Sequence, residues 1–424
     1  MIKILKQDKL KRDDAFSSSA PSNVTDIVSA IIADVDKRGD EALFEYCGKF
    51  DKCKLSSLIV TKEEIENAFE QVEPEFVEIL KEAAENIRVF HKRQIKEGFI
   101  QTNENGSVVG QRVIPLEKVG LYVPGGTAAY PSTVLMDAIP AKVAGCKEIV
   151  IVTPPDKEGK VNPAILAAAY IAGVDKIFKV GGAQAVAALA YGTETIPRVD
   201  KIAGPGNMYV AEAKRQVYGR VDIDMIAGPS EILIVADGKS DARIIAADLL
   251  SQAEHDKNAS AVLVTDSEEL ANNVSNELER QIALLPREEI ARTSIDNNGL
   301  IIVTSSIDVA IEIADEIAPE HLELSVDEPF SYLGKVKNAG SVFLGRYCPE
   351  ALGDYFAGPN HTLPTSGTAR FSSPLSVDDF VKKSQYIYYT KDALNSVYKK
   401  VAAFAEKEGL SAHARSARAR FEKF

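Results

Sequence analysis

At residues 118–126 the chain reads Lys-Val-Gly-Leu-Tyr-Val-Pro-Gly-Gly, a short apolar run closed by a proline and two glycines. An apolar run of this length, bounded by turn residues, predicts a buried strand at 118–123. An alanine-rich helical pattern follows near 131–143. The same succession recurs up to residue 236, with strand candidates at 148–152, 176–180, 201–203 and 232–235. Strands that alternate with helices predict βαβ units and a parallel sheet.

A second region of the same kind begins after residue 240. A helical pattern near 241–253 leads to strand candidates at 261–264, 300–303 and 341–344. The sequence therefore predicts a second α/β sheet of similar plan. Both flanks are predicted to be helical. The first is 22–97, with a long amphipathic helix opened by Pro74, and the second is 377–424, which shows no strand signal.

Composition and charge exclude several classes of function. The chain has 424 residues and a net charge of −13, with a pI near 5.1, which argues against a nucleic-acid partner or an anionic membrane surface. No apolar stretch approaches the ~20 residues needed to span a bilayer, and the N-terminus lacks a secretory h-region. The four cysteines show neither paired nor metal-type spacing, so a reducing cytoplasm is expected.

Three glycine-rich turns follow predicted strands: Pro124-Gly-Gly126, Gly181-Gly-Ala-Gln184 and Gly204-Pro-Gly-Asn207. Such turns aim backbone N–H groups and a helix N-terminus at one point, where a phosphate can bind. The third turn begins the dinucleotide spacing but has Tyr209 where the last glycine belongs. Two interpretations of these glycines remain. They form a nucleotide site where the strand ends converge, or they form only tight turns between strands and helices.

The chain has only five histidines, and four of them lie in polar segments. Gln252 and His255 are three residues apart at a predicted helix end, so both project from one face and could bind a divalent metal. The alternative is that His255 is a structural residue at the helix end, where the neighbouring Asp256 is its partner. His413 lies at the far end of the chain, where it is either an exposed tail residue or one that reaches a site in another subunit.

The adjacent Glu320 and His321 offer two proton carriers with different pKa values, which suits a reaction with two proton abstractions. A surface Glu-His dipeptide is the plainer alternative. Asp354 lies in a predicted glycine-flanked turn, where it could bind a metal or cap a helix. His361 lies on a loop between two prolines, and loops held by a rigid scaffold often carry function.

Taken together and in order, these segments resemble the histidinol dehydrogenase family across nearly the whole chain. The matching motifs are Val119-Gly-Leu-Tyr-Val-Pro-Gly-Gly126, Gly181-Gly-Ala-Gln-Ala185, Ile202-Ala-Gly-Pro-Gly-Asn207, Ala227-Gly-Pro-Ser-Glu231, Ser251-Gln-Ala-Glu-His255, Ala318-Pro-Glu-His-Leu-Glu323, Leu352-Gly-Asp-Tyr355 and Gly358-Pro-Asn-His-Thr-Leu-Pro364. Each motif is weak alone, but their joint order is specific.

The resemblance implies an α/β fold with two incomplete Rossmann-like parallel-sheet domains, a helical N-terminal arm and a helical C-terminal tail, in an intertwined homodimer. The arm is expected at 1–22 and the tail at 377–424, where it contributes to the partner subunit's site. Residues 23–114 and 238–376 are expected to form the first α/β domain, with the metal and acid–base residues. Residues 115–237 are expected to form the second, with the nucleotide loops.

The resemblance also implies a reaction, the last step of histidine biosynthesis. L-histidinol is oxidised to L-histidine by two NAD molecules, through L-histidinaldehyde that stays bound. His321 would be the base and Glu320 would activate water. One zinc ion per subunit would be held by Gln252, His255, Asp354 and the partner subunit's His413, and these four would also meet the substrate. The expected NAD contacts are Tyr122, Gln184 and Asn207, and the further substrate contacts are Ser230, His321, His361 and the partner subunit's Glu408.

Two other classes of protein remain as alternatives at this stage. A zinc hydrolase could use Glu320 on a metal-bound water without any nucleotide site. A non-catalytic α/β protein could keep the fold to bind a small metabolite. Manganese could also replace zinc at a site of two imidazoles, a carboxylate and an amide oxygen.

Overall fold

The computed structural model describes residues 1–9, 24–125 and 129–423. These residues divide into two compact units: unit 1 contains 1–94 and 116–380, and unit 2 contains 95–115 and 381–424. Gly126, the last residue of the first glycine turn, and most of the expected arm lie outside the described residues. No helix in the described ranges is long and apolar enough to cross a membrane.

The described part of the chain is a mixed α/β protein. In chain order its strands are β1 (Lys3–Lys6), β2 (Phe99–Thr102), β3 (Val108–Pro115), β4 (Lys118–Tyr122), β5 (Glu148–Thr153), β6 (Lys176–Lys179), β7 (Lys201–Ala203), β8 (Asp222–Ile223), β9 (Glu231–Ala236), β10 (Ser260–Thr265), β11 (Gly299–Val303), β12 (His321–Ser325), β13 (Ser341–Leu344) and β14 (Val381–Tyr388).

The α-helices are α1 (Val24–Arg38), α2 (Asp40–Tyr46), α3 (Lys62–Gln71), α4 (Pro74–Lys92), α5 (Pro131–Ala144), α6 (Pro163–Ala172), α7 (Gly182–Tyr191), α8 (Met208–Val217), α9 (Ala242–Ala253), α10 (Glu268–Ile282), α11 (Glu288–Asn298), α12 (Ile307–Ile317), α13 (Phe330–Leu333), α14 (Glu350–Tyr355), α15 (Lys391–Asn395), α16 (Tyr398–Lys407) and α17 (Ser411–Arg418). Local chemistry sets several of their ends. Proline opens α4, α5 and α6 at a position where no N–H is needed. Gly145 ends α5 in the left-handed region, with φ 91°.

The first parallel sheet of unit 1 has five strands in the order β6-β5-β4-β7-β8. Counted along the chain, this order is 3-2-1-4-5, which matches the first five strands of the Rossmann sheet. The order reverses between β4 and β7, which pair in parallel from Val119–Lys201 to Leu121–Ala203. Ligands of open α/β sheets bind outside the carboxyl ends of the strands at such a reversal. Tyr122 and Gly204 stand at those ends.

The second parallel sheet of unit 1 has six strands in the order β1-β11-β10-β9-β12-β13. Apart from β1 at the edge, it repeats the order 3-2-1-4-5, with its reversal between β9 and β12. The prediction of a helical arm at 1–22 is wrong for the part of it that the structure describes, residues 1–9, because Lys3–Lys6 forms strand β1, which pairs with β11. Ile2 anchors this edge strand in the core at 5% exposure.

The N-terminal helices pack on the five-stranded sheet. Apolar side chains of α1 and α2 share one core with α7 and α8, and those of α3 and α4 share another with α5 and α6. This packing differs from the expected grouping of 23–114 with 238–376. The physical reason is that α4 buries its stripe of Val77, Leu80, Ala84 and Ile87 against α5 rather than against the six-stranded sheet.

Unit 2 contains an antiparallel sheet of order β14-β3-β2 and the helices α15 to α17. The expectation that 377–424 is helical throughout is wrong, because Val381–Tyr388 forms β14, which pairs with all of β3. Valine, isoleucine and tyrosine in this segment favour a strand. Most of its side chains are exposed, so the continuous apolar run that marks the buried parallel strands is missing.

Candidate active site

The predicted acid–base pair lies at the amino end of β12, beside the amino end of the neighbouring strand β9. His321 is the first residue of β12 and pairs in register with Ile232 of β9. Its Nδ1 donates to the carbonyl oxygen of Glu231 at 2.9 Å, and the carboxylate of Glu320 accepts from the N–H of Glu231 at 2.9 Å. Both side chains are almost fully buried. The strand pairing therefore fixes the orientation of the pair, which excludes a surface dipeptide.

The other ring nitrogen of His321 faces two carboxylates of α14. Its Nε2 lies 3.8 Å from Glu350 Oε1 and 3.7 Å from Asp354 Oδ1. Neither His321 Nε2 nor Glu350 Oε1 has a hydrogen-bond partner among the described residues, although both are buried. Glu350 was not predicted from the sequence. The sequence feature that could have identified Glu350 is its four-residue spacing to Asp354, which places both carboxylates on one helix face.

Asp354 lies on α14 rather than in the predicted turn. Pro349 precedes the helix and favours its start, and Gly353 packs against the ring of Phe343, which leaves no room for a side chain. Because the backbone is helical here, Asp354 projects toward His321 with Glu350 instead of capping a turn.

Burial and charge shift the pKa values of these groups strongly. Burial raises the pKa of Glu320 to about 8. Burial works to lower the pKa of His321, but the charges of Glu320, Asp354 and Glu350 raise it to about 10. Burial works to raise the pKa of Asp354, but His321 and His361 hold it below its usual range. His321 therefore stays protonated as long as no cation neutralises the negative charge of the carboxylates around it.

Of the predicted metal ligands of unit 1, His255 lies near the carboxylate of Asp354, and the N–H of His255 donates to the carbonyl of Gln252. Gln252 belongs to the last turn of α9 and is 1% exposed, and His255 follows the helix. Burial lowers the pKa of His255, which favours the neutral imidazole that metals bind, while the charge of Asp354 opposes the shift. His321, Glu350 and Asp354 also place one ligand atom each within 4.8 Å of one another. These donors suit a divalent cation at Asp354.

His361 joins the site from the loop that precedes β14. Its Nδ1 donates to the carbonyl oxygen of Asp354 at 3.1 Å, and burial lowers its pKa. Ser230 lies just before β9, and its carbonyl accepts from the N–H of Ser260 at 3.0 Å. The residues expected to meet substrate in unit 1 therefore border the amino ends of the six-stranded sheet.

Two of the predicted nucleotide contacts lie at the carboxyl ends of the five-stranded sheet. Tyr122 ends β4, and its hydroxyl accepts from the N–H of Gly182 at 2.9 Å. Burial raises the pKa of Tyr122 to about 12, so it stays a neutral phenol. Gln184 is buried at the start of α7, and its amide folds back over Gly182, where a Cβ would lie 2.7 Å from Gln184 Oε1. Gly182 has φ 69°, which also favours glycine.

The third predicted nucleotide contact, Asn207, caps α8. Its Oδ1 accepts from the N–H groups of Tyr209 and Val210 at 3.0 and 3.2 Å. The loop before it is held by a buried ion pair, in which Lys214 Nζ lies 2.5 Å from Asp224 Oδ1. Capping and a nucleotide contact are compatible, because the cap uses Oδ1 and the NH2 group of the amide can still donate to a ligand.

The remaining predicted residues belong to unit 2. Glu408 ends α16 and His413 lies on α17. Both line a groove of about 810 Å³ between these helices, together with Lys400, Val401, Phe404, Ala405, Leu410, Ala412 and Ser416. The side chains of Phe404, Val401 and Leu410 are 70%, 47% and 44% exposed. The role of His413 as a ligand in a partner's site stays a prediction.

The fold and the site define an α/β enzyme with a buried acid–base pair, a carboxylate centre ringed by histidines, and a separate set of glycine loops at a strand reversal. Residues 15–421 match the histidinol dehydrogenase family. The chain belongs to that family, as its ordered motifs predicted, and the expectation of a dehydrogenase is confirmed over a hydrolase or a binding protein.

Similar proteins cover almost the full length of the chain. The histidinol dehydrogenase of Clostridium acetobutylicum is 56% identical over 428 residues, which cover 100% of this chain and 99% of that protein. That of Geobacillus kaustophilus is 58% identical over 393 residues, which cover 93% of each. The crystal structure of histidinol dehydrogenase from Elizabethkingia anophelis superposes with a TM-score of 0.94 at 39% identity, covering 99% of this chain and 98% of that one.

Proposed function

We propose that this protein oxidises L-histidinol to L-histidine with two molecules of NAD, through a bound aldehyde. The observation that carries the proposal is the buried pair of Glu320 and His321 beside Asp354, in a chain of this family. Two proton carriers with different environments suit two oxidations in one site. The product places the enzyme at the last step of histidine biosynthesis.

In the first oxidation, the alcohol loses its hydroxyl proton to His321 while a hydride passes from its carbon to NAD. His321 is held for this by the bond from its Nδ1 to the Glu231 carbonyl, which leaves Nε2 facing the site. Its raised pKa means that it acts as a base only after the negative charges of Glu320, Asp354 and Glu350 around it are compensated. A cation, or the ammonium group of the substrate, would supply that compensation.

In the second oxidation, water adds to the aldehyde and a second hydride leaves the hydrated carbon. Glu320 is placed to take the proton of that water, because its carboxylate is held beside His321, with Nδ1 3.6 Å from Oε2. Its pKa of about 8 lies near the pH at which a general base works well. The first oxidation releases one NADH and one proton. The second consumes the water and releases one NADH and two protons, because its product is a carboxylate.

The donor set supports one zinc ion per subunit, held by Gln252, His255 and Asp354 and completed by the partner subunit's His413. The lowered pKa of His255 and the ionised state of Asp354 fit this role. Zinc would orient the imidazole and amine of the substrate and could act as a Lewis acid. Ser230, His361 and the partner subunit's Glu408 would complete the substrate site.

NAD is proposed to bind at the reversal of the five-stranded sheet, in contact with Tyr122, Gln184 and Asn207. The carboxyl ends of β4 and β7 and the turns at 181–184 and 204–207 form one edge there. The domain division follows from this placement. Residues 115–237 would be the Rossmann-like nucleotide domain, and residues 238–376 would be the core of the domain with the acid–base residues.

We propose a homodimer with shared sites because unit 2 exposes apolar side chains on its surface. The groove that holds Glu408 and His413 is lined by exposed apolar side chains, and β2 and β14 expose Ile100 at 68% and Ile387 at 74%. Apolar surface of this extent favours a partner. The free cysteines Cys47, Cys53, Cys146 and Cys348 support a reducing, cytoplasmic location.

The test is an absorbance assay for NADH with zinc-loaded protein, L-histidinol and NAD. NADH formation is expected, with loss on treatment with a chelator and recovery on adding zinc back. Activity that survives complete metal removal would contradict the metal proposal alone. Absence of NADH with metal-loaded protein would contradict the reaction itself.

A further inference from the structure

Most of helix α5 is buried, yet its buried stretch carries two polar side chains. Residues 133–141 are all buried, and Thr133 and Asp137 are the polar residues among them. These two are four positions apart, so they lie on the same helix face. Burying a polar group without a hydrogen bond costs free energy, which indicates that this face has a specific partner.

A proline adds a third hydrogen-bonding group to that face. Pro140 lies inside α5 and has no N–H, so it cannot donate to the carbonyl of Met136 four residues earlier. The side-chain amide of Asn360 donates to this freed carbonyl instead, at 2.6 Å. The proline therefore creates an acceptor inside a helix, where carbonyl oxygens are otherwise occupied.

The other two polar groups of this helix face, Thr133 and Asp137, are hydrogen-bonded to His361 and Thr362, the two residues that follow Asn360. Thr133 Oγ1 lies 3.3 Å from His361 Nε2. The hydroxyl of Thr362 donates to Asp137 Oδ1 at 2.8 Å. Three consecutive residues, 360–362, are thus each hydrogen-bonded to α5, and the middle one is the histidine expected to meet the substrate.

These contacts also set the tautomer of His361. Its Nδ1 faces a backbone carbonyl, that of Asp354, which can only accept, so Nδ1 carries the proton. In the neutral ring Nε2 is then an acceptor, and the hydroxyl of Thr133 donates to it. The ring is held at both nitrogens, and its orientation follows the position of α5.

We propose that α5 is a clamp that positions His361 for the substrate, with Thr133 and Pro140 as its positioning residues. The inference rests on the proposed function, because His361 is assigned to the substrate there. It goes further by assigning a task to a helix that begins shortly after the first glycine turn of the nucleotide sheet. Neither residue touches the reacting atoms, so each acts through the placement of His361.

The first test replaces Thr133 by valine, which keeps the shape and removes the hydroxyl. The KM for L-histidinol is expected to rise about fivefold or more, as for the loss of one hydrogen bond, with the KM for NAD unchanged. Thr133→Ser should restore the KM. Thr153→Val is the matched control, since the hydroxyl of Thr153 is buried without a hydrogen-bond partner among the described residues. Equal effects of the two valine variants, or no rescue by serine, would overturn the role of Thr133.

The second test replaces Pro140 by alanine, which restores an N–H that competes with Asn360 for the Met136 carbonyl. A proline-to-alanine change favours a helix, so the melting temperature is expected to hold or rise while the KM for L-histidinol rises severalfold. An unchanged KM in a folded Pro140→Ala variant would overturn the role of the proline. Wild-type protein is assayed in parallel: if it is inactive, the proposed function fails, whereas an active wild type with unaffected variants refutes the clamp alone.

Discussion

Replacement of Lys214 by methionine tests whether the buried ion pair under the nucleotide loop holds that loop in place. The side chains of Lys214 and Asp224 are only 2% and 1% exposed. Lys214 Nζ also donates to the carbonyl of Gly204 at 2.9 Å, and the N–H of Gly204 donates to Asp224 Oδ2 at 2.8 Å. Methionine keeps the packing but leaves the Asp224 carboxylate buried without its cation.

Breaking a buried pair in this way costs about 3–5 kcal/mol, so the urea midpoint should fall with little change in the denaturant slope. The KM for NAD should rise as well, since Gly204 begins the turn that leads to Asn207. Lys147→Met is the control, because its pair with Glu117 is 75% and 67% exposed and should contribute at most about 1 kcal/mol.

A second substitution separates the lone charge from lost packing. Asp224→Asn in the Lys214→Met protein removes the uncompensated charge and keeps an oxygen for the N–H of Gly204. Most of the lost stability should return in this double variant. The reasoning is refuted if Lys214→Met is no more destabilising than Lys147→Met, or if the asparagine brings no recovery.

Three other expectations follow from the site. Burial raises the pKa of Asp137 from 3.8 to about 8, so the folded state holds a proton that the unfolded state releases, and this stability is lost as pH rises toward 8. Asp137→Asn keeps the acceptor for Thr362 and should therefore raise the free energy of unfolding at pH 8 by on the order of 2–5 kcal/mol, with the difference from wild type vanishing below pH 4 in urea titrations. Glu320→Gln should slow oxidation of the aldehyde more than that of the alcohol, and equal slowing in stopped-flow assays with each substrate would count against its role in hydration. Mixed dimers of inactive His413→Ala and His255→Ala subunits should regain part of the activity, since one site keeps all its ligands; mixed dimers that assemble but stay inactive would disprove the shared site.

The buried strands could be predicted from the sequence because parallel strands covered on both faces are continuous apolar runs. The strands β4, β5 and β10 fall within a residue or two of the predicted ranges. Strand β12 was missed because His-Leu-Glu-Leu-Ser has only two apolar residues and forms no continuous apolar run, although Glu323 is buried. The first polar position of this strand, His321, belongs to the site, and Glu323 accepts from the N–H of Glu350 at 2.8 Å. Polar residues therefore stand where a purely structural strand would carry apolar ones.

The site could be predicted only in part, for a related reason. Adjacent Glu320 and His321 are visible in the sequence, but Glu350 lies 29 positions beyond His321 and meets it only because β12 and α14 come together. The place of the N-terminal helices was also hidden, since an amphipathic stripe on α4 shows that one face is buried without showing which sheet buries it. Composition and periodicity identify elements, whereas the pairing between distant elements requires the structure.

The central claim is that one buried site performs both oxidations, with the aldehyde retained between them. The most direct measurement is the number of NADH molecules formed per molecule of L-histidinol consumed, with the organic product identified by mass spectrometry. The account predicts two NADH per L-histidinol and L-histidine as the product, with no free aldehyde trapped by added semicarbazide. One NADH per L-histidinol, with the aldehyde accumulating in solution, would contradict it.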